Sequence, residues 1–360
     1  MGPRKLPRRS TLLPALGVLA ILVVVAGVAL AATLHTSSEE QGVSDSPADL
    51  GHLTIAHRRA ISPALASPSG PIIGTNDAAG WGPAPARTIL RGHITWDRVD
   101  LGSHYNTLAS ALSGGFKVLA IAGNVEVPLS DVDPSQWGAL VAYELKANRG
   151  ISIAEAGNES YLKGGVANPV QYGHMYLDAI EDMRAAGIRT RLLFDMTGDI
   201  PLHTWADPGS WSEDANGGGW LREAVTAVPG LAGAILANGV SVHPYGALGE
   251  NRHDNWGIDS VAADEAVTNA VLGSIPPFYV TEIGYTLNDC GATIGACSRS
   301  EQASKMQAAY EVFLADPHVA GIWWYQSHDD STGEYGFMTE KNRLRPAFRV
   351  LSAIGLAVGQ

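Results

Sequence analysis

Eight short apolar runs, separated by longer amphipathic stretches, constrain this chain more than any other feature. They are Ile72 to Gly74, Thr88 to Ile94, Lys117 to Ala122, Ile151 to Ala156, Thr190 to Asp195, Val240 to His243, Phe278 to Thr281 and Ala320 to Gln326. Each is strand length. Between the fourth and fifth, Asn168 and Pro169 read as N-cap and first helical residue, and Tyr172, Tyr176, Ala179, Ile180 and Met183 mark one helical face before Gly187. After the seventh, Ser298 and Glu301 have capping-box spacing ahead of Met306, Ala309, Tyr310 and Phe313. Strands alternating with helices imply a parallel sheet. Eight such units predict an α/β fold of the closed (β/α)8 TIM barrel type, because the glycine fingerprint of a dinucleotide-binding open sheet is missing.

The barrel needs only part of the 360 residues. Residues 11–34 form a charge-free apolar run behind Arg4, Lys5, Arg8 and Arg9, and a bilayer span needs about 20 such residues. Residues 1–10 are then a basic cytoplasmic segment and 11–34 a transmembrane signal anchor, or a signal peptide cut near Ala29-Leu30-Ala31. Arg8-Arg9 also loosely matches a twin-arginine export signal. Residues 35–69, mixed in Ser, Pro, Ala and charge, read as a flexible linker. The folded domain spans 70–360, roughly 290 residues by subtraction, against about 250 for a barrel of this kind. The folded domain is expected outside the cell, membrane-attached or secreted.

The net charge is −12, and removing the four N-terminal cations takes it to −16. Such a surface repels phosphate backbones, so nucleic acid is excluded as a partner. A neutral ligand is unaffected. Cys290 and Cys297 lie close together in an exported domain and are expected to form a disulfide. None of the 11 histidines falls in a Cys/His cluster of ligand spacing, so no metal and no cofactor is expected.

The polar residues that stand out cluster at run ends. Asn158 and Glu159 close the fourth run, His243 and Tyr245 the sixth, and Glu282 the seventh; Asn124 follows the third, Arg91 lies in the second, and Trp323, Trp324 and Tyr325 fill the eighth. In (β/α)8 barrels chemistry sits at the C-terminal strand ends. Two carboxylates facing one another there, Glu159 and Glu282, are the minimum equipment for retaining glycoside hydrolysis. Glu155, four residues before Glu159 on the same strand face, is expected deeper, as a paired structural carboxylate.

With these residues in place, the chain resembles the clan A glycoside hydrolases, the barrel superfamily of cellulases and β-xylosidases, over nearly all of residues 71 to 350. The resemblance rests on Asn158-Glu159, Thr281-Glu282, His243-Pro244-Tyr245, Arg91 and the tail from Trp323 to Asp329 followed by Arg345-Pro346. It implies an enzyme hydrolysing O-glycosyl bonds in a β-linked oligo- or polysaccharide, with Glu159 as acid/base and Glu282 as nucleophile. It implies also that Arg91 hydrogen-bonds the nucleophile, and that Asn158, His243, Tyr245, Trp324 and Tyr325 contact substrate. Trp205, Trp211 and Trp220 are candidate sugar walls. The chain departs from the pattern at Ser160, where many relatives carry Pro, and at His93, where some carry an acid. The rival readings are a surface carbohydrate-binding protein that lost turnover and a transglycosidase using the same intermediate. The retaining reading predicts carboxyl groups about 5 to 5.5 Å apart.

Overall fold

A computed structural model describes residues 70–102, 107–124, 131–160, 168–196, 219–245, 261–288 and 297–360. All lie in the compact unit Ile55–Gln360. Eight strands close into a parallel barrel in sequence order, with β1 pairing β8. They are β1 (Ile72–Asn76), β2 (Trp96–Asp100), β3 (Lys117–Ala122), β4 (Ile153–Ala156), β5 (Arg191–Asp195), β6 (Val240–Val242), β7 (Phe278–Ile283) and β8 (Val319–Trp324). Among the described residues the helices are α1 (Pro83–Arg91), α2 (Thr107–Gly114), α3 (Pro134–Ala147), α4 (Pro169–Ala185), α5 (Gly219–Ala227), α6 (Leu231–Asn238), α7 (Val261–Leu272), α8 (Arg299–Ala315) and α9 (Pro346–Ala357).

Local chemistry starts the helices where the sequence predicts. The Asn168 side chain accepts from the Gln171 N–H, and Pro169 occupies the first turn of α4. Both halves of the Ser298–Glu301 capping box are made at α8.

The second strand is displaced from its expected place. Residues 88–91 are the end of α1, because Pro83 presets the helical φ at its N-terminus and Gly92 closes it. The true β2 reads Trp-Asp-Arg-Val-Asp, with Asp97 and Arg98 both buried. Three charges in five residues hide a strand from any search for apolar runs.

Side chains at alternate positions along each strand point into the barrel. Trp96, Leu119, Ile153, Leu193, Tyr279 and Trp323 pack together as an apolar layer. Moving two residues on along β2 and β4, the interior positions become Arg98 and Glu155. The step from an oily floor to a charged upper layer places the polar groups at the C-terminal mouth. A second, larger core fills the space between barrel and helices.

Candidate active site

Arg98 organises the mouth of the barrel. Its Nε donates to Glu155 Oε1 at 2.6 Å and Nη2 to Glu155 Oε2 at 2.9 Å; Nη2 also reaches Asn158 Oδ1 at 2.7 Å. Nη1 donates to Asn76 Oδ1 at 2.9 Å and to Glu282 Oε1 at 2.5 Å. A guanidinium has five N–H groups, and all five are used. Burial alone would favour the neutral form, but Glu155 and Glu282 outweigh it and hold the Arg98 pKa well above its ordinary value.

Glu282 ends β7 inside this network. Its second oxygen accepts from the Tyr245 hydroxyl at 2.8 Å, so both carboxylate oxygens are oriented from opposite sides. Asn76 ties the neighbouring strands together, its amide donating to the carbonyls of Thr281 and Trp324.

Glu159 sits just beyond β4 with φ of 49°, in the left-handed region that side chains other than glycine seldom occupy. The turn is held from β5, where Asp195 Oδ2 accepts the backbone N–H of Ser160 at 2.8 Å. Strain of this kind persists only where the surroundings impose it. The Glu159 side chain is 25% exposed against 9% for Glu282, so the first is wetter.

His243 lies beneath the two carboxylates. Its Nδ1 is 3.4 Å from Glu159 Oε1 and 3.7 Å from Glu282 Oε2, and Nε2 lies 3.1 Å from Thr281 Oγ1. Burial pushes its pKa down, yet Glu282 and Glu159 push it up by more, leaving it raised. One oxygen of each glutamate and one ring nitrogen all lie within 4.8 Å of one another. Those donor types can hold a metal, but Arg98 already places a positive charge against Glu282 and opposes a second cation there. A further Glu265, Asp316 and His318 group lies at the start of β8, far along the strand from this mouth.

Together these residues open onto a cleft of about 390 Å³ lined by polar side chains, among them Asn158, Glu159, Tyr245, Glu282 and Tyr325. Asn124 also lines it, bound to Asp100 at 2.6 Å. Six of the residues singled out in the sequence therefore meet at one place, with His243 beside Glu159 and Glu282, and Glu155 is the buried partner of Arg98.

Other expectations are corrected. Arg91 is exposed in the last turn of α1 and takes no part; Arg98 holds the position beside Glu282. His93, at the opposite end of the barrel, contacts the Gln360 carbonyl. Trp324 is fully buried behind β8, its indole N–H given to the Tyr335 carbonyl, because the strand pleat turns it outward while Tyr325 turns in. Trp220 is no sugar wall, since it packs between Tyr172 and Phe194 in the outer core. Trp205, Trp211 and Cys290 lie outside the described residues; Cys297 is described, and its N–H donates to the Leu287 carbonyl. Sequence reasoning missed Arg98, Asn76, Asp77, Asp100, Thr332 and Tyr335, all of which line the cleft. The available signal was the run of charge in Asp97, Arg98 and Asp100, beginning six residues after Arg91.

No protein-family model and no curated protein matches the sequence. Solved structures do match it. A family 39 glycoside hydrolase from Bacteroides cellulosilyticus aligns with a TM-score of 0.53 and 15% identity, covering 79% of this chain, which spans 63% of that protein's length. The GH5_18 protein of Streptomyces cattleya, solved with GlcNAc, aligns with a TM-score of 0.53 and 14% identity over 81% of this chain and 80% of its own. The GH53 catalytic domain of Ignisphaera aggregans gives a TM-score of 0.52 and 12% identity, over 81% and 98%. The chain thus shares the (β/α)8 barrel of solved glycoside hydrolases of the clan A type.

Proposed function

We propose that this protein is a retaining glycoside hydrolase acting on a β-linked oligo- or polysaccharide, with Glu159 as general acid/base and Glu282 as nucleophile. The observation that carries the reading is the placing of the two carboxylates within 4.8 Å, oxygen to oxygen, at the C-terminal mouth of the barrel. So close an approach suits the retaining separation of about 5 to 5.5 Å better than the about 6.5 to 9.5 Å of an inverting pair.

Their surroundings differ as the two roles require. Glu282 is clamped by Arg98 and Tyr245, which aims an oxygen at an anomeric carbon. Glu159, on its strained turn, faces the cleft and donates a proton to the departing glycosidic oxygen as the Glu282–carbon bond forms. Glu159 then takes a proton from water, whose oxygen displaces Glu282 and releases the sugar. Asn158 gives its oxygen to Arg98 and so turns its NH2 group toward the sugar 2-hydroxyl. His243, positively charged when protonated, balances the two carboxylates above it.

Export, a membrane anchor at residues 11–34 and a Cys290–Cys297 bridge belong to the same reading. No helix among the described residues is long and apolar enough to cross a membrane, and residues 11–34 are not among them.

The test is sugar release by the purified protein from β-glucans, xylans, mannans, galactans and aryl β-glycosides, run beside Glu282→Gln. Release abolished by the substitution supports the reading. Binding without release from any substrate supports a carbohydrate-binding protein instead.

A further inference from the structure

Asp77 has no role in the chemistry above, yet it lines the same cleft. It follows β1 directly, at the C-terminal mouth, with φ of 58°. Aspartate tolerates this left-handed conformation better than most residues, and the backbone N–H is held by the Arg98 carbonyl at 3.3 Å.

Its neighbours are all engaged. Glu282 is bound by Arg98 and Tyr245, Asp100 by Asn124 and the Gly102 N–H, and Asp97 by the N–H groups of Ala78 and Ala79. The Asp77 carboxylate alone among these accepts no hydrogen bond from any described residue. Asp77 is exposed, open to cleft water. The protein around it, with Glu282, Asp330 and Asp100 and against Arg98, pushes its carboxyl pKa upward, a shift that the solvent at this exposed group screens.

Cations show the opposite pattern. Arg98 is the one cation among the described lining residues, and its five N–H groups are spent inside the protein. Nothing in that lining is left to meet a negatively charged sugar substituent. Asp77, Asp100 and Glu282 would repel one.

Resting on the hydrolase reading, we infer that Asp77 is a substrate-binding carboxylate whose two oxygens accept hydrogen bonds from adjacent hydroxyls of an uncharged sugar beside Glu159 and Glu282. Among the described lining residues no cation is free to meet a carboxylate or sulfate, so this part of the cleft favours neutral glycosides over uronic acids and sulfated sugars. Adjacent ring hydroxyls present two donors at a spacing one carboxylate can bridge, and hydrogen bonds to a charged acceptor are the stronger kind.

The experiment compares the full-length protein with Asp77→Asn and Asp77→Gly on aryl β-glycosides of glucose, xylose, mannose and galactose, the matching glucuronide and glucosaminide, and monodeoxy analogues of the preferred sugar. Glycine accepts the left-handed backbone, so that variant keeps the turn while removing the carboxylate. The expected result is a KM raised about 10- to 100-fold with kcat changed far less. The expected difference between wild type and variants vanishes on the deoxy analogue lacking the bound hydroxyl, and glucuronide is turned over least. An unchanged KM in both variants overturns the inference while leaving the hydrolase reading standing. Preference for glucuronide overturns it, as does preference for glucosaminide, which would make Asp77 an ammonium site. No hydrolysis of any neutral or charged glycoside overturns the hydrolase reading and this inference with it.

Discussion

Arg98 on β2 and Glu282 on β7 meet across the barrel through an Nη1 to Oε1 hydrogen bond of 2.5 Å, while the other edge of the same guanidinium grips Glu155 on β4. One cation thereby joins three strands that are far apart in sequence. Its two carboxylate partners are both buried.

Arg98→Met leaves those two carboxylates in the interior without their counter-charge. Breaking a buried pair from one side costs about 3–5 kcal/mol, so the urea unfolding midpoint should fall sharply. Arg98→Lys should recover little, because an ammonium lacks the planar fork that serves Glu155 and Glu282 together.

Glu159→Gln keeps the shape of the side chain but cannot donate a proton. On substrates with poor leaving groups kcat should fall about 10²- to 10⁴-fold. Aryl glycosides whose phenol leaves without protonation should lose far less in the first step. Comparing phenyl with dinitrophenyl glycosides checks this, and equal losses on both would remove Glu159 from the acid role.

His243 should tie stability to pH. Burial lowers its pKa, but Glu282 and Glu159 raise it by more, so the folded value lies above the ordinary histidine value of 6.5. The folded state then binds the proton more tightly than the unfolded chain does. The resulting stabilisation is complete below the unfolded value of about 6.5 and disappears as pH rises through the raised folded value. The difference in unfolding free energy between wild type and His243→Asn should thus be larger at pH about 5.5 than at pH about 9, as read by denaturant titration. A constant difference would show that the ring contributes by packing alone.

Gly284, two residues beyond Glu282, has no space for a side chain: a Cβ there would overlap the Tyr325 carbonyl oxygen, with the Tyr335 ring 3.0 Å away. Since the obstacle is backbone, no side-chain rotation relieves it. Gly284→Ala should cost about 1–3 kcal/mol of stability and lower kcat by moving Glu282 relative to Arg98, as thermal unfolding and initial rates would report.

Much of the barrel was legible from local pattern. Lys117–Ala122 is a strand with the expected bounds, Asn168 and Ser298 cap the expected helices, and Asn158, Glu159 and Glu282 fall at strand ends. These are short-range signals, each carried by a few neighbouring residues. The second strand was not legible, because Asp97 and Arg98 are buried through partners elsewhere in the chain: the N–H groups of Ala78 and Ala79 for one, and Glu155 and Glu282 for the other. A buried charge reads as a surface residue until its partner is known. Trp324 and Tyr325 show a related limit. Trp324 ends β8 and Tyr325 follows it, and only the pleat against β1 and β7 decides that Trp324 faces the helices and Tyr325 the cleft.

By itself, the sequence determined the alternation of strands and helices, the helix caps and the two strand-end carboxylates, since periodicity and capping act over a few residues. Tertiary structure decided which arginine stands beside Glu282, which aromatics reach the cleft and that the Asp77 carboxylate accepts no hydrogen bond from the described residues. Those outcomes depend on barrel closure, which brings residues as far apart as Thr75 and Trp324 into hydrogen-bonding contact, and no local pattern encodes a distance of that kind.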